Sequence, residues 1–558
     1  MKKLRTPAVE LLESRIAPAT FLVASLDDAG PGSLREAIVE ANGNSGADII
    51  IFQQGLAGTI NLSSGQIAIT DTMTIKGPGA DKITIDANRL SRIFSVSDSD
   101  AGKDSPFTLS GLTFFRGQGP ATDGSGGAIA CFESLNVRNC RFLQNSADPQ
   151  GERVITVGGA IFANFQERDG SPTSVDIRDS VFDGGFGDDG GGAVNAIVQG
   201  NVTLKNNSFT GNLSFGDGGA VVLKAGAGRQ LLVDDCQFLG NTGNRGGGAA
   251  LLGNDSDGDS SVIVRDSLFS ANKATSASLG DGAGLFLDGG KVIVDRSAFF
   301  QNDAGTHGGG LAADECSSIV IRGSQMIGNR ASVIGGGGIY LNMPDAEMRS
   351  RIAASIVSGN VAFQGGGILV EDGAGRLDVV GSRIAGNHAD FDGGGILVKE
   401  RTDNRQGADL KILRSKVTGN VGRSGGGVAV FGDGEFVMQF SQVNENQASF
   451  GGGVFLNKTT PASISGCVIA QNISVNGGGI EAFSAVKMRT SRILGNSASN
   501  LGGGIVSDAE LTLKLCTISK NTGPGGSGIF LFQDAVLTLK GCKVAANFGS
   551  SGEQIEEA

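Results

Sequence analysis

The chain has 558 residues, a formal net charge of −12 and a pI near 4.9. An acidic surface with no basic stripe repels phosphate backbones and excludes nucleic acid as a partner. Glycine at 92 residues against 11 prolines rules out collagen and proline-rich linkers. No apolar run approaches the ~18 residues that a membrane-spanning helix needs.

Residues 1–19 start basic, but Glu10, Glu13 and Arg15 interrupt the apolar stretch that a secretory signal requires. Leu12-Glu13-Ser14-Arg15-Ile16-Ala17-Pro18-Ala19 resembles a short N-terminal element of large bacterial surface and secreted proteins. That resemblance implies export to the surface or the medium. Residues 20–55 form a second region. Ser33 is a helix N-cap, and 34–42 is an amphipathic helix with Leu34, Ala37, Ile38 and Ala41 on one face. A solenoid needs an end cap over its exposed strand edges, and this helix is the candidate.

Residues 56–548 carry a repeat. Gly77–Asp86 reads as an early strand–turn–strand. Then comes a phrase, apolar-x-apolar-x-x-(Ser or Cys)-x-apolar-x-x-Asn, followed by Gly-Gly. Its asparagines are Asn145, Asn212, Asn241, Asn272, Asn302, Asn329, Asn360, Asn387, Asn420, Asn446, Asn472, Asn496, Asn521 and Asn547, about 28 residues apart over most of the chain. A fixed period of this length marks a solenoid. In one unit Val292 and Val294 alternate with Lys291, Ile293 and Asp295, and Ser297, Phe299, Asn302 and Gly308-Gly309-Gly310 follow. The alternation predicts a short strand with one buried face. Such strands bury that face only by stacking in parallel on their equivalents, ~4.8 Å away. The expected fold is therefore all-β: a single parallel β-helix of roughly 17 turns and ~80 Å, with a short N-terminal capping helix. Residues 549–558 remain as an acidic tail.

The repeat slots predict internal stacks. Inward asparagines bond the amides above and below them. The position three before Asn is Phe142, Phe182, Phe209, Phe238, Phe269 and Phe299, then Met326 and aliphatic residues to Val544. Gly185 stands where one asparagine is due, so a rung is missing there. The Gly-Gly pairs suit a corner with φ > 0 or close backbone approach.

Gly126-Gly127-Ala128-Ile129 and the Phe-x-x-Asn phrases resemble the polymorphic outer-membrane protein repeat. More widely, residues 50–548 are similar to pectin-lyase-like right-handed β-helices, and the hand of the coil is what that resemblance implies. Gly32-Ser33-Leu34-Arg35-Glu36-Ala37-Ile38 is similar to the Cys-Ser-Leu-Arg-Glu-Ala domain of surface proteins, with Gly32 in place of the cysteine. The class implied is an exported or cell-surface, adhesin-like scaffold that binds through charged loops on one edge. The alternative on the same fold is a polysaccharide lyase or glycoside hydrolase. Partners would be an extracellular polysaccharide or a surface protein.

Candidate chemistry is sparse. The loops after each Gly-Gly strand carry Glu167-Arg168-Asp169, Asp314-Glu315, Asp345/Glu347/Arg349, Glu371-Asp372 and Lys399-Glu400-Arg401 with Asp403 and Arg405. Asp255, Asp257 and Asp259 are alternating carboxylates able to converge on Ca2+, although not in EF-hand spacing. No other cofactor is indicated. His307 and His388 lie about three turns, ~14 Å, apart, too far for a direct pair. Trp is absent and Tyr340 is the single tyrosine, which counts against the aromatic platforms of sugar-cleaving enzymes. Of seven cysteines, Cys140, Cys236, Cys467, Cys516 and Cys542 fill the Ser slot and read as small buried residues. Cys516 and Cys542 are one turn apart, which leaves open whether they are bonded.

Overall fold

The computed structural model describes residues 18–557 except 99, 101–102, 121–123, 148–155, 165–171, 254–259, 344–346, 372–374, 401–406, 458–459 and 551. One turn shows the plan. Lys291–Asp295 belongs to a first sheet and Ala298–Phe300 to a second. Asp303–Ala304 is a short strand of a fourth sheet, and Leu311–Asp314 belongs to the third. Ser318–Arg322 then starts the next turn directly beneath. Pairing in these first three sheets is parallel and in register: Val292 with Ile319, Phe299 with Met326, Leu311 with Ile339. Among the described residues the first sheet has 19 strands and the second and third 18 each, so the parallel β-helix makes about 18 turns, close to the expected number. Among the described residues three strands, Thr20–Val23, Asp48–Phe52 and Ile555–Glu557, lie outside residues 56–548. Thr20–Val23 pairs with Ile49–Phe52, and Ile555–Glu557 with Ile529–Leu531.

The helix spans Leu34–Gly43, and Ser33 Oγ accepts from the Glu36 N–H at 3.1 Å. Glu36 reaches back to the Gly32 N–H at 2.6 Å. These bonds satisfy donors that a helix start leaves open. Leu34, Ala37, Ile38 and Ala41 are buried in the main core cluster. The helix packs on the first strands of the first and third sheets, where a preceding turn would otherwise lie. Asp28 clamps it there. Its carboxylate pairs with Arg35 at 2.7 Å and accepts from the Ser63 and Ser64 N–H groups at 2.9 and 2.7 Å. Burial opposes its ionisation, but these bonds outweigh burial and hold the carboxyl well below the usual range.

Between the second and third sheets the asparagines stack. From Asn212 to Asn521 each Nδ2 donates to the next Oδ1 at 2.9–3.0 Å, and the same Oδ1 accepts the backbone N–H above it. The second Nδ2 hydrogen goes to a main-chain carbonyl of the preceding turn, as from Asn387 to Val357 O at 3.0 Å. The Gly185 N–H bonds Asn212 Oδ1 directly, with no amide of its own to pass on. Gln554 supplies the final rung, accepting from Asn547 Nδ2 at 3.0 Å. Beside this stack runs another, of phenyl rings from Phe114 through Phe299. Successive centroids are 4.6–4.9 Å apart, with planes within 13°. That spacing is the strand repeat itself.

Each turn has left-handed residues at three corners. At the corner before the asparagine, φ > 0 is tolerated by Gln144, Ala271 and Gln301 as well as by glycine. The Gly-Gly corner differs. At Gly365-Gly366-Gly367 a Cβ would lie 2.8, 2.4 and 2.5 Å from backbone oxygens of Ile368, His388 and Gly395. Only the first of the three has φ > 0; the other two are glycine because the chain below leaves no room.

Candidate functional site

The outer face of the third sheet is not bare. Its outward second positions, among them Phe286, Ala312, Tyr340, Leu369 and Leu397, form a buried row of their own. A polar chain crosses this row at Tyr340. The His307 ring lies 4.2 Å from the Tyr340 ring, and His307 Nδ1 is 2.8 Å from Asp281 Oδ1. Tyr340 OH donates to Glu371 Oε2 at 3.3 Å, and His307 Nε2 is 3.9 Å from the same oxygen. Lys399 Nζ lies 2.8 Å from Glu371 Oε1 and 2.6 Å from Gln364 Oε1. Burial, then the Glu371, Asp314 and Asp281 carboxylates, pushes the Tyr340 hydroxyl far up, so it stays a proton donor. Burial also works against Asp281, but hydrogen bonds from His307 and Thr306 outweigh it and hold its carboxyl below the ordinary range. The groups satisfy one another, and the His307 and Glu371 side chains are only 15% and 10% exposed. This is a closed network, which ties five turns together and, among the described residues, presents no open base.

Glu481 continues the same row, opposite Phe455 and Val506. It is buried and accepts from the Gly451 N–H at 3.0 Å. Burial pushes its carboxyl up to about 7, partly offset by that bond. Folding therefore favours the protonated acid. Its favourable contribution is complete below its ordinary pKa of 4.5 and is lost as pH rises to about 7. Glu481→Gln should match wild type in thermal unfolding at pH 4 and exceed it at pH 8 by roughly 2 kcal/mol. An unchanged gap between the two pH values would contradict this.

Among the described residues, an open cleft lies on the first sheet. Arg349, Arg351, Arg376 and Asp378, with Val320 and Ser350, line a cavity of about 360 Å³. Strand alternation puts Arg349 and Arg351 outward while Ser350 and Ile352 are buried. Register then sets Arg349 beside Arg376, and Arg351 between Val320 and Asp378. Arg376 Nε donates to Asp378 Oδ1 at 2.7 Å, which holds the guanidinium proton more tightly. Arg349 Nη1 bonds Met348 O at 3.1 Å. Arg351 is exposed, and among the described residues its side chain has no ion pair or hydrogen bond.

The residues singled out in the sequence fall into three groups. The asparagines lie inside the coil, and those from Asn212 to Asn547 bond one another. Asp255, Asp257 and Asp259 lie outside the described residues, as do Glu167, Arg168, Asp169, Asp345, Asp372, Arg401, Asp403 and Arg405. Of the described loop residues, Glu371 and Lys399 join the third-sheet network, and Asp314 accepts from Asn342 Nδ2 at 2.6 Å. Arg349 belongs to the cleft. Arg351 and Arg376 were not singled out, although their outward strand parity was available to find them. His388 sits apart from His307, with Nε2 3.2 Å from Asp390. Among the described residues no three His, Cys, Asp or Glu side chains group to hold a metal ion, and no helix is long and apolar enough to cross a membrane.

The family model described as "Right handed beta helix region" matches residues 199–406 and 394–555, which assigns the coil its right hand. No curated protein matches the chain. Among solved structures, a PL6 family alginate lyase is similar at 12% identity over 96% of this chain and 100% of that one, with a TM-score of 0.29. At that score nothing about the site follows from the likeness.

Proposed function

The chain belongs to the right-handed β-helix family, and from that premise we propose that it is a rigid rod-shaped scaffold that binds an acidic polysaccharide at the arginine cleft of its first sheet. One observation carries this reading. Three guanidinium groups from two adjacent turns surround one cavity on a chain whose net charge is −12. Guanidinium forks match carboxylate and sulfate oxygens in pairs, and a polymer laid along the coil meets them at the strand spacing. The alternative, a lyase or hydrolase, needs a group that moves a proton. Arginine does not surrender its proton, and Asp378 is held by Arg376. The cleft lining therefore favours holding over cutting. A place at the cell surface or outside the cell belongs to this proposal. It rests on the likenesses at residues 12–19 and 32–38. A calcium-assisted contact at Asp255, Asp257 and Asp259 belongs to it as well.

The test is calorimetric titration of a polyuronate and a size-matched neutral glucan, with and without Ca2+. The polyuronate should bind, with affinity falling as salt rises. Arg351→Ala should weaken it about tenfold or more, the loss of one charge-assisted contact. Equal binding of the neutral glucan, or an unaffected Arg351→Ala variant, would sink the reading. Release of unsaturated sugar ends that Asp378→Asn abolishes would favour the lyase.

A further inference from the structure

Cys516 and Cys542 fill the Ser slot of the first bend in two successive turns near the end of the coil. Lys514 pairs with Lys540 and Thr517 with Lys543, so the two cysteines lie directly opposite each other. The parallel strand spacing of ~4.8 Å is inside the Cα separation of ~4.4–6.8 Å that a disulfide accepts. The Cys516 N–H donates to Cys542 Sγ at 3.4 Å. In other turns a Ser Oγ takes that bond, as when Ser355 N–H donates to Ser382 Oγ at 3.2 Å. Cys542 Sγ is thereby directed along the axis at its neighbour.

The other slot cysteines face different residues. Cys140 bonds Ser180, Cys236 bonds Ser267 and Cys467 bonds Ser491. Among the described residues, Cys516 and Cys542 are the one stacked thiol pair in the slot. Both are free thiols, and Cys542 is half-exposed while the other six cysteines are buried. The turn that Cys542 opens is also thinly covered: Leu537 and Val544 are only partly buried, and Leu539 is 39% exposed.

We propose that Cys516 and Cys542 are a thiol–disulfide exchange site, at which a small-molecule disulfide staples the final turn to the one before it. Cys542, the accessible thiol, attacks one sulfur of the incoming disulfide and releases one thiol of the oxidant. Cys516 then attacks Cys542 Sγ in the mixed disulfide and releases the second. The protein loses two protons and two electrons and gains one S–S bond. The oxidant gains both and leaves as two thiols. The resulting bond closes a loop from 516 to 542, and its reduction reverses the step. Such a bond restrains residues 537–544, whose first- and second-sheet strands pair, among the described residues, with a neighbouring turn on one side only.

The full chain is treated with oxidised glutathione in native buffer and digested with trypsin without reduction. The expected product joins the peptide 515–520 to the peptide 541–543. Amide hydrogen exchange over 537–544 should slow at least ~tenfold in the oxidised chain. Cys542→Ser restores the commonest residue of the slot; it should fold, form no cross-link and show no slowing. Cys467→Ser should cross-link like wild type. A glutathione adduct at Cys542 without the cross-link would overturn the proposal. So would a cross-link that forms only in denaturant, or unmodified thiols throughout.

Discussion

Asn387→Ala should lower the unfolding free energy by on the order of 4 kcal/mol, with less than 1 kcal/mol counting against the ladder as a source of stability. The estimate follows from what the side chain leaves behind. Asn387 Oδ1 accepts both the Asn360 N–H at 3.0 Å and Asn360 Nδ2 at 2.9 Å. Its Nδ2 donates to Asn420 Oδ1 at 2.9 Å and to Val357 O at 3.0 Å. Asn420 Oδ1 keeps a bond from the Asn387 backbone N–H. Two buried donors and one carbonyl are nevertheless orphaned where the whole rung is sealed from water, and each such group costs about 1–3 kcal/mol. Urea unfolding followed by circular dichroism measures the loss. Asn145→Ala is the internal comparison. It bonds Gly117 and the Phe114 carbonyl but no asparagine above it, and the loss there should be about half as large.

Gly366→Ala and Gly359→Ala should differ sharply although both sit at corners of one turn. At Gly366 the new methyl would lie 2.4 Å from His388 O and 2.5 Å from its carbonyl carbon. Those atoms are backbone paired into the next turn, so they cannot retreat without breaking the sheet. A cost of about 3 kcal/mol or more is expected. At Gly359, φ is 63° but nothing lies within 4 Å of the added carbon. Only the left-handed backbone is penalised there, at about 1 kcal/mol. Ala271 and Ala546 already occupy that corner at φ 54° and 58°. Thermal unfolding of the pair decides it; similar losses would show that the close approach of the chains is not what keeps Gly366.

The same contrast shows why some corners could be read from the residues and others not. The Gly-Gly corner announces itself because space forbids every other residue, turn after turn. The corner before each Ser slot leaves no such mark. It holds Arg296, Phe440, Thr490 and Leu515 at φ of 45–55°. The strain is local, and the hydrogen bonds of the turns above and below compensate for it.

The contact between His307 and Tyr340 was equally invisible. The residues are separated by 33 positions, and a loop of another length would have brought a different partner over the histidine. The single tyrosine could be noticed in the chain, but not that burial and three carboxylates would keep its hydroxyl protonated. Arg349, Arg351 and Arg376 show the same limit. Parity says that Arg349 and Arg351 face outward. That Arg376 stands beside Arg349 depends on which residue of one strand pairs with which residue of the next.

From the chain alone came the stacking itself: the parallel coil, the asparagine and phenylalanine ladders, the glycine corner and the capping helix. Each is a local pattern that repeats against a copy of itself, so one unit contains the information for its neighbours. The tertiary structure alone decided where unlike residues meet. The arginine cleft and the His307–Tyr340 network both arise from register between turns of unequal length. That register is set by backbone pairing summed over the whole rod, which no single repeat encodes.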